Sequence, residues 1–117
     1  MNIARYRGYD WIFKVTFTLP GNESSVEGDK IYFVMKTESS VDGETVNVST
    51  SLTDSGNLSG TTVTAYVEVP KATTGAVTPG EYVGEFYWQV AGGTTKEFII
   101  DGTKSITVID AVKDIPA

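Results

Sequence analysis

The sequence predicts an all-β fold, a sandwich of about seven short strands that pack as two sheets. Apolar side chains alternate with polar ones over several short segments, and this is the period of a half-buried strand. Turn-forming Gly, Pro, Asn and Asp residues separate these segments at a spacing of about ten residues. No segment shows the period of a long helix, which excludes folds that pack helices on a sheet.

The stretch 80–90 is the predicted central strand, because it holds the densest aromatic cluster in the chain. Its large side chains alternate with Glu81, Glu85 and Gln89. Aromatic residues at period two are typical of a strand that buries one face. We expect the structural core to be formed by Trp11, Phe13, Phe33, Tyr82, Phe86 and Trp88.

The remaining strands follow from the same alternation. They are predicted at 11–19, 31–36, 46–52, 62–69, 97–101 and 105–109, and segment 3–7 is predicted to be a short first strand or an arm. Segment 31–36 is apolar on both faces and should lie mid-sheet, whereas the polar segment 46–52 suits a sheet edge. Pro70 and Gly75 bracket one predicted helical turn. Gly102 predicts a bulge or a change of sheet near the end of the chain.

The segment 78–82 has the layout of a tyrosine corner, in which a Tyr near the start of the sixth strand bonds back to the backbone. This corner is a feature of antiparallel immunoglobulin-like sandwiches. Two residues after the Tyr an antibody domain has a cysteine, whereas this chain has Gly84. Because glycine leaves a hole, we expect a large ring from the facing sheet to fill it in place of a disulfide. The candidate rings are Trp11, Phe13 and Phe33.

Length and composition indicate a single folded domain over 1–117, with a short N-terminal arm (1–8) and a C-terminal tail (110–117). Hydrophobic residues make up 40% of the chain and charged residues 21%, a composition that folds. The net charge of −6 argues against nucleic-acid partners and anionic membranes. The first residues carry no apolar stretch of signal-peptide length, so we expect synthesis in the cytoplasm.

The residues that usually carry chemistry are scarce. The chain contains no His and no Cys, which removes the commonest general base and metal ligand. Glu81 and Glu85 share one strand face, but glycoside hydrolysis needs carboxylates across a cleft. Loops 42–44 and 54–57 carry oxygen ligands that suit calcium, yet turn propensity explains both. We therefore expect no enzyme activity, no cofactor and no metal.

Three tyrosines, Tyr32, Tyr66 and Tyr87, fall on the outward faces of their predicted strands. Tyrosine is enriched at protein–protein interfaces, and we predict an interface role for these side chains. The alternative is a sugar-binding platform, in which exposed rings stack on pyranose faces.

Four segments together resemble the small immunoglobulin-like domains of tailed-phage and prophage structural proteins. They are 7–15, 31–36, 78–82 and 106–108. That family includes the N-terminal domains of upper-baseplate proteins and small head or tail decoration proteins. The long polar insertion at 20–29 departs from the baseplate pattern.

The resemblance implies a non-enzymatic structural or assembly module of a virion, in the baseplate, the tail or as a head accessory protein. It implies docking onto other virion proteins or onto copies of itself, in the virion and in the host cytoplasm before assembly. Two alternatives share the fold: a carbohydrate- or receptor-binding module, and a small accessory protein that adds a strand to a partner's sheet. A fold alone does not choose among them.

Overall fold

The chain folds into two packed β-sheets, as the alternation of apolar and polar residues predicts. The computed structural model describes residues 2–20, 23–37, 45–92, 96–98 and 104–110. The strands there are β1 (Asn2–Tyr6), β2 (Trp11–Thr18), β3 (Lys30–Lys36), β4 (Val46–Ser51), β5 (Leu58–Ser59), β6 (Thr62–Val69), β7 (Gly80–Gln89), β8 (Lys96–Phe98) and β9 (Lys104–Ile109). Two single helical turns are α1 (Asp54–Asn57) and α2 (Lys71–Thr74).

The larger sheet has the strand order β1-β9-β7-β3-β4, with β8 also pairing with β7. The smaller sheet has the order β2-β6-β5. Strands β3, β7 and β9 take the places of C, F and G of an immunoglobulin domain, and β2, β6 and β5 take those of B, E and D. The fold is therefore an immunoglobulin-like β-sandwich.

The predicted positions of three strands are confirmed. Strand β7 is the centre of the larger sheet and pairs with β3, β8 and β9. Strand β3 lies between β7 and β4, and the polar strand β4 lies at the edge. The helical turn predicted at 71–75 is α2. In the part of the chain that the structure describes, no helix is long and apolar enough to cross a membrane.

Both ends of the chain carry strands of the larger sheet. The predicted N-terminal arm (1–8) contains strand β1, so segment 3–7 takes the strand form of the two that were predicted, and β1 pairs in parallel with β9 from Asn2 opposite Ser105 to Tyr6 opposite Ile109. This strand and the two-residue strand β5 bring the described strands above the expected seven. Strands β8 and β9 both pair with β7, so the chain does not change sheets between them. Gly102 and tail residues 111–117 lie outside the described residues.

The six predicted core residues Trp11, Phe13, Phe33, Tyr82, Phe86 and Trp88 are all buried. The Phe13 ring from the smaller sheet packs between two rings of the larger one, with centroid distances of 4.8 Å to Phe33 and 5.6 Å to Phe86. Phe17 packs on Trp88 at 5.5 Å. Rings from both sheets thus interlock at the distances that aromatic pairs prefer.

Phe33, one of the three predicted rings, fills the hole at Gly84 together with Ile106, but it does so from the same sheet, which corrects the expectation of a ring from the facing sheet. A Cβ atom placed on Gly84 would lie 2.9 Å from Cε1 of Phe33 and 3.0 Å from Cγ1 of Ile106. Phe33 and Ile106 belong to β3 and β9, the two neighbours of β7. Same-face neighbours on adjacent strands come within reach of a large side chain, so these two meet over the glycine.

The tyrosine corner predicted at Tyr82 is confirmed. The Tyr82 hydroxyl donates a hydrogen bond of 2.5 Å to the backbone oxygen of Thr78. The side chain is otherwise buried in the core, so this bond gives its polar end a partner. It also fixes the path of the chain from α2 into the central strand.

Candidate docking surfaces

Tyr32 and Tyr87 stand directly opposite each other across β3 and β7. Both lie on the outer face of the larger sheet, because their neighbours Phe33, Phe86 and Trp88 point into the core. Both side chains are half-buried. The two predicted interface residues of the larger sheet therefore form one cross-strand pair.

Hydrogen bonds tie both phenols to the sheet surface. The Tyr32 hydroxyl donates to Oε1 of Gln89 at 3.0 Å, and the Tyr87 hydroxyl donates to Oε1 of Glu85 at 2.5 Å. Burial raises the pKa of Tyr87 to about 12, and the hydrogen bond and negative charge of Glu85 add to the effect. The Tyr87 phenol is thus a neutral donor at neutral pH, and both hydroxyls are engaged within the chain.

Tyr66, the third predicted interface residue, lies on the opposite side of the molecule. It stands on β6 in the smaller sheet, opposite Lys14 of β2. Its side chain is 59% exposed, whereas its neighbours Ala65 and Val67 are fully buried. The structure therefore separates Tyr66 from the Tyr32–Tyr87 pair, and the three tyrosines do not form one surface.

Among the described residues, the large apolar side chains that are exposed form a second group, which includes Tyr66 and which we call the apolar set. Its members are Tyr6 (45% exposed), Tyr9 (45%), Ile12 (57%) and Tyr66 (59%). Ile12 is opposite Glu68, which makes it a diagonal neighbour of Tyr66 on the outer face of the smaller sheet. The Tyr6 and Tyr9 rings meet edge to face at 6.3 Å.

The turn between β1 and β2, which carries Tyr9, is held firmly. The buried hydroxyl of Thr74 accepts from the backbone nitrogen of Gly8 at 3.0 Å and donates to the backbone oxygen of Tyr9 at 2.8 Å. The Trp11 indole donates to the backbone oxygen of Tyr6 at 2.8 Å. Asp10 accepts from the backbone nitrogen of Lys71 at 2.7 Å. Helical turn α2 thus anchors the backbone beneath two exposed rings.

Sequence reasoning missed Tyr6, Tyr9 and Ile12. The signal for Ile12 was present, because it alternates with the buried residues Trp11 and Phe13. Tyr6 alternates with the half-buried residues Arg5 and Arg7, but the pattern of segment 3–7 predicts either a strand or an arm. Its outward direction follows only from the pairing of β1 with β9.

The carboxylates considered for catalysis or metal binding are engaged in structural contacts. Glu81 accepts from the Thr107 hydroxyl at 3.0 Å and 3.1 Å. Asp54 accepts from the Ser25 hydroxyl at 2.8 Å and from the backbone nitrogen of Val26 at 2.7 Å. Loop 42–44 lies outside the described residues. Among the residues that are described, no group of three or more Asp or Glu side chains is arranged to hold a metal ion.

Asp29 is a further residue that sequence reasoning missed. It ends the polar segment 20–29, which predicts an exposed loop, but its side chain is buried. One carboxylate oxygen accepts from the indole nitrogen of Trp88 at 2.9 Å, and the other accepts from the backbone nitrogen of Ala91 at 2.7 Å. Asp29 is therefore a structural anchor.

Comparison with protein-family models gives no match, and comparison with curated protein sequences gives none either. Among solved structures, a parallel homodimer of the extracellular domain of the voltage-gated sodium channel beta4 subunit, described for its role in cell–cell adhesion, is 12% identical. The alignment covers 96% of this chain and 92% of that one, with a TM-score of 0.39.

A second similar structure comes from a photo-crosslinking study of multimeric cell-adhesive interactions of sodium-channel beta subunits. It is 10% identical, covers 97% of this chain and 93% of its own, and has a TM-score of 0.40. Neither similarity is strong enough to indicate a shared partner or function. The immunoglobulin-like assignment rests on the strand order and on the tyrosine corner at Tyr82.

Proposed function

We propose that this protein is a non-enzymatic docking module that binds other proteins through its exposed apolar side chains. The apolar set carries this proposal. Exposed aromatic side chains are typical anchors of protein–protein interfaces. Two of the four lie side by side on the regular outer face of the smaller sheet, and a third sits on a turn anchored by Thr74. Rings on a rigid frame lose little conformational freedom on binding.

The finer proposal is a role in the virion of a tailed phage or prophage, as a baseplate, tail or head accessory protein. It is supported by the resemblance of segments 7–15, 31–36, 78–82 and 106–108 to the small immunoglobulin-like domains of such particles. On this proposal the protein resides in the virion, and in the host cytoplasm before assembly. Its partners are other virion proteins or further copies of itself.

The absence of enzyme activity is also part of the proposal. It is supported by the lack of His and Cys in the sequence and by the placement of Glu81 and Glu85 on the surface of a sheet. Each of these two carboxylates accepts a hydrogen bond from a neighbouring side chain, Thr107 or Tyr87. Neither is aimed at a second carboxylate across a cleft, the geometry that glycoside hydrolysis requires.

The virion role is tested by mass spectrometry of particles purified from cells that carry this gene. We expect the chain to co-purify with the particles in a constant ratio to the major structural proteins. A chain that stays entirely in the soluble fraction while complete particles form would overturn the virion role.

The docking surface is tested by complementation of a strain that lacks the chain. The variant Ile12→Thr with Tyr66→Ser removes two members of the apolar set, and we expect it to fold but to be lost from particles. A matched control is Tyr32→Phe, which removes only a hydroxyl group from the opposite face. Normal incorporation of the double variant would contradict docking through the apolar set. Binding of the free protein to a glycan array, abolished by the same substitutions, would favour the carbohydrate-binding alternative.

A further inference from the structure

Strand β2 presents a long open edge of the sandwich. It is the outer strand of the smaller sheet, where β6 alone of the described strands pairs with it. It contains 8 residues, against 6 in β4, 5 in β1 and 2 in β5, the other outer strands of the two sheets. Edge strands of this kind are templates for pairing with another chain.

The register of β2 with β6 shows which backbone groups face the open edge. The Leu19 nitrogen donates to the Thr61 oxygen at 2.8 Å, in line with the pairing of β2 and β6. In an antiparallel pair successive residues direct their N–H and C=O groups to opposite sides. The odd-numbered residues of β2 therefore bond to β6. The outward row consists of Ile12, Lys14, Thr16 and Thr18.

The larger sheet extends beyond the β2 edge, so a strand added to β2 would pack against it. Phe13 of β2 packs against Phe33 and Phe86, so β2 lies over β3 and β7. Beyond β7 the larger sheet extends through β9 to β1. From β1 the Arg5 guanidinium reaches across to the Phe13 ring, 5.1 Å from its centroid.

We propose that the open edge of β2 pairs antiparallel with the same edge of a second copy of this chain, which joins the two smaller sheets into one. The inference rests on the proposed docking role and names the partner. The charge on β2 is compatible with a second copy at this place. The protein has a net charge of −6, yet β2 carries Lys14 and no acidic residue. A pair formed along β2 therefore places no carboxylates of the two copies opposite each other.

The side chains select the register of the pair. A two-fold axis at Lys14 would place the two lysines opposite each other, which destabilises a strand pair. An axis at Val15 instead places Lys14 opposite Thr16, and Ile12 opposite Thr18, of the second copy. On the inner face it places Phe13 opposite Phe17 of the second copy. Phe17 is only half-buried within one chain, so this register also covers apolar surface.

Residue-resolved amide hydrogen exchange of the unmodified protein at low and high concentration tests the proposal. We expect the amides of Lys14 and Thr16 to exchange quickly in dilute solution and to become protected as concentration rises. The amides of Val15 and Phe17 bond to β6 and serve as an internal reference that stays protected throughout. Fast exchange at Lys14 and Thr16 at every concentration would overturn the pairing. Protection that does not depend on concentration would also overturn it, because the edge would then be covered within one chain.

A variant with one altered edge group provides a second test. Thr16→Pro removes an N–H that faces the open edge and leaves the bonds to β6 in place, a position where proline is tolerated. We expect self-association to weaken roughly tenfold or more, since the bond is lost twice in a symmetric pair. Thr16→Ser, which keeps the N–H, is the matched control and should associate normally. Equal association of both variants would contradict the edge pairing.

The register can be read by cross-linking, because the chain has no Cys of its own. Mild oxidation should join Lys14→Cys to Thr16→Cys by a disulfide in a mixed sample more efficiently than it joins Lys14→Cys to itself, because a disulfide needs close Cβ atoms and opposite residues lie closer than diagonal ones. Preferential self-linking of Lys14→Cys would overturn the register. The edge pairing and the docking role can fail separately. If the chain is found in particles but the β2 edge never becomes protected, the edge pairing is wrong and the docking role stands.

Discussion

The indole nitrogen of Trp88 donates a hydrogen bond of 2.9 Å to a carboxylate oxygen of Asp29, and each side chain is only 3% exposed. The second carboxylate oxygen accepts from the Ala91 nitrogen at 2.7 Å. The backbone oxygen of Asp29 accepts from Leu52 at 2.8 Å. One residue thus links the loop before β3 to the end of the central strand and to the end of β4. A buried carboxylate is costly unless it is hydrogen-bonded, and here both oxygens are.

Asp29→Ala should lower the free energy of unfolding by about 2–4 kcal/mol, because it leaves two donors without an acceptor. Chemical denaturation followed by Trp fluorescence measures the change. Trp88→Phe removes one of the same donors, so the double variant should lose less than the sum of the single losses. Glu23→Ala, an exposed acid in the same loop, is the control and should change stability little. Strict additivity of the two losses would show that the contact is not energetically coupled.

Tyr82→Phe removes the hydroxyl of the tyrosine corner and leaves the Thr78 oxygen without its donor. We expect a loss of about 0.5–1.5 kcal/mol, the usual net value for such a hydrogen bond. Thermal unfolding should show a lower midpoint. Tyr66→Phe makes the same chemical change at an exposed position and should leave the midpoint unaltered. An equal effect at both positions would mean that the corner does not stabilise the fold.

Gly84→Ala should destabilise the protein by about 1–3 kcal/mol, the cost of overfilling a packed core. The added methyl group would lie 2.9 Å from the Phe33 ring and 3.0 Å from Ile106. Replacing Phe33 by Leu in the same chain should recover part of that loss, since it removes one of the atoms in the way. A double-variant cycle by chemical denaturation measures the recovery. If the two losses simply add, Phe33 does not occupy the space over the glycine.

The free energy of unfolding should fall with rising pH between about 10 and about 12 through Tyr87. In the unfolded chain this phenol titrates near its usual pKa of about 10, whereas burial and Glu85 raise the folded pKa to about 12. Stability from this group is therefore complete below pH 10 and is lost as the pH approaches 12. Tyr87→Phe should flatten the fall, and Tyr66→Phe should not. An unchanged slope in the first variant would place the Tyr87 pKa near its ordinary value.

The sequence by itself determined the sandwich, its central strand and its core. Alternation has a period of two only in strands, so Phe86 and Trp88 on one side and Glu85 on the other predict a half-buried strand without any tertiary information. The tyrosine corner at Tyr82 also followed from sequence, because its bond runs only a few residues back along the chain. Patterns of this kind can be predicted from sequence because they depend only on the backbone conformation of residues that are close in the chain.

Only the tertiary structure decided how distant segments meet. Strand order determines in which sheet a strand lies and therefore on which side of the molecule its outward side chains are. It places Tyr66 on the opposite side from Tyr32 and Tyr87. The burial of Asp29 depends on a donor 59 residues away. The open edge of β2 exists because β1 pairs with β9 in the other sheet. Pairing and edges are long-range properties: the same alternating strand can be central or outermost, and its own residues do not say which strand lies beside it.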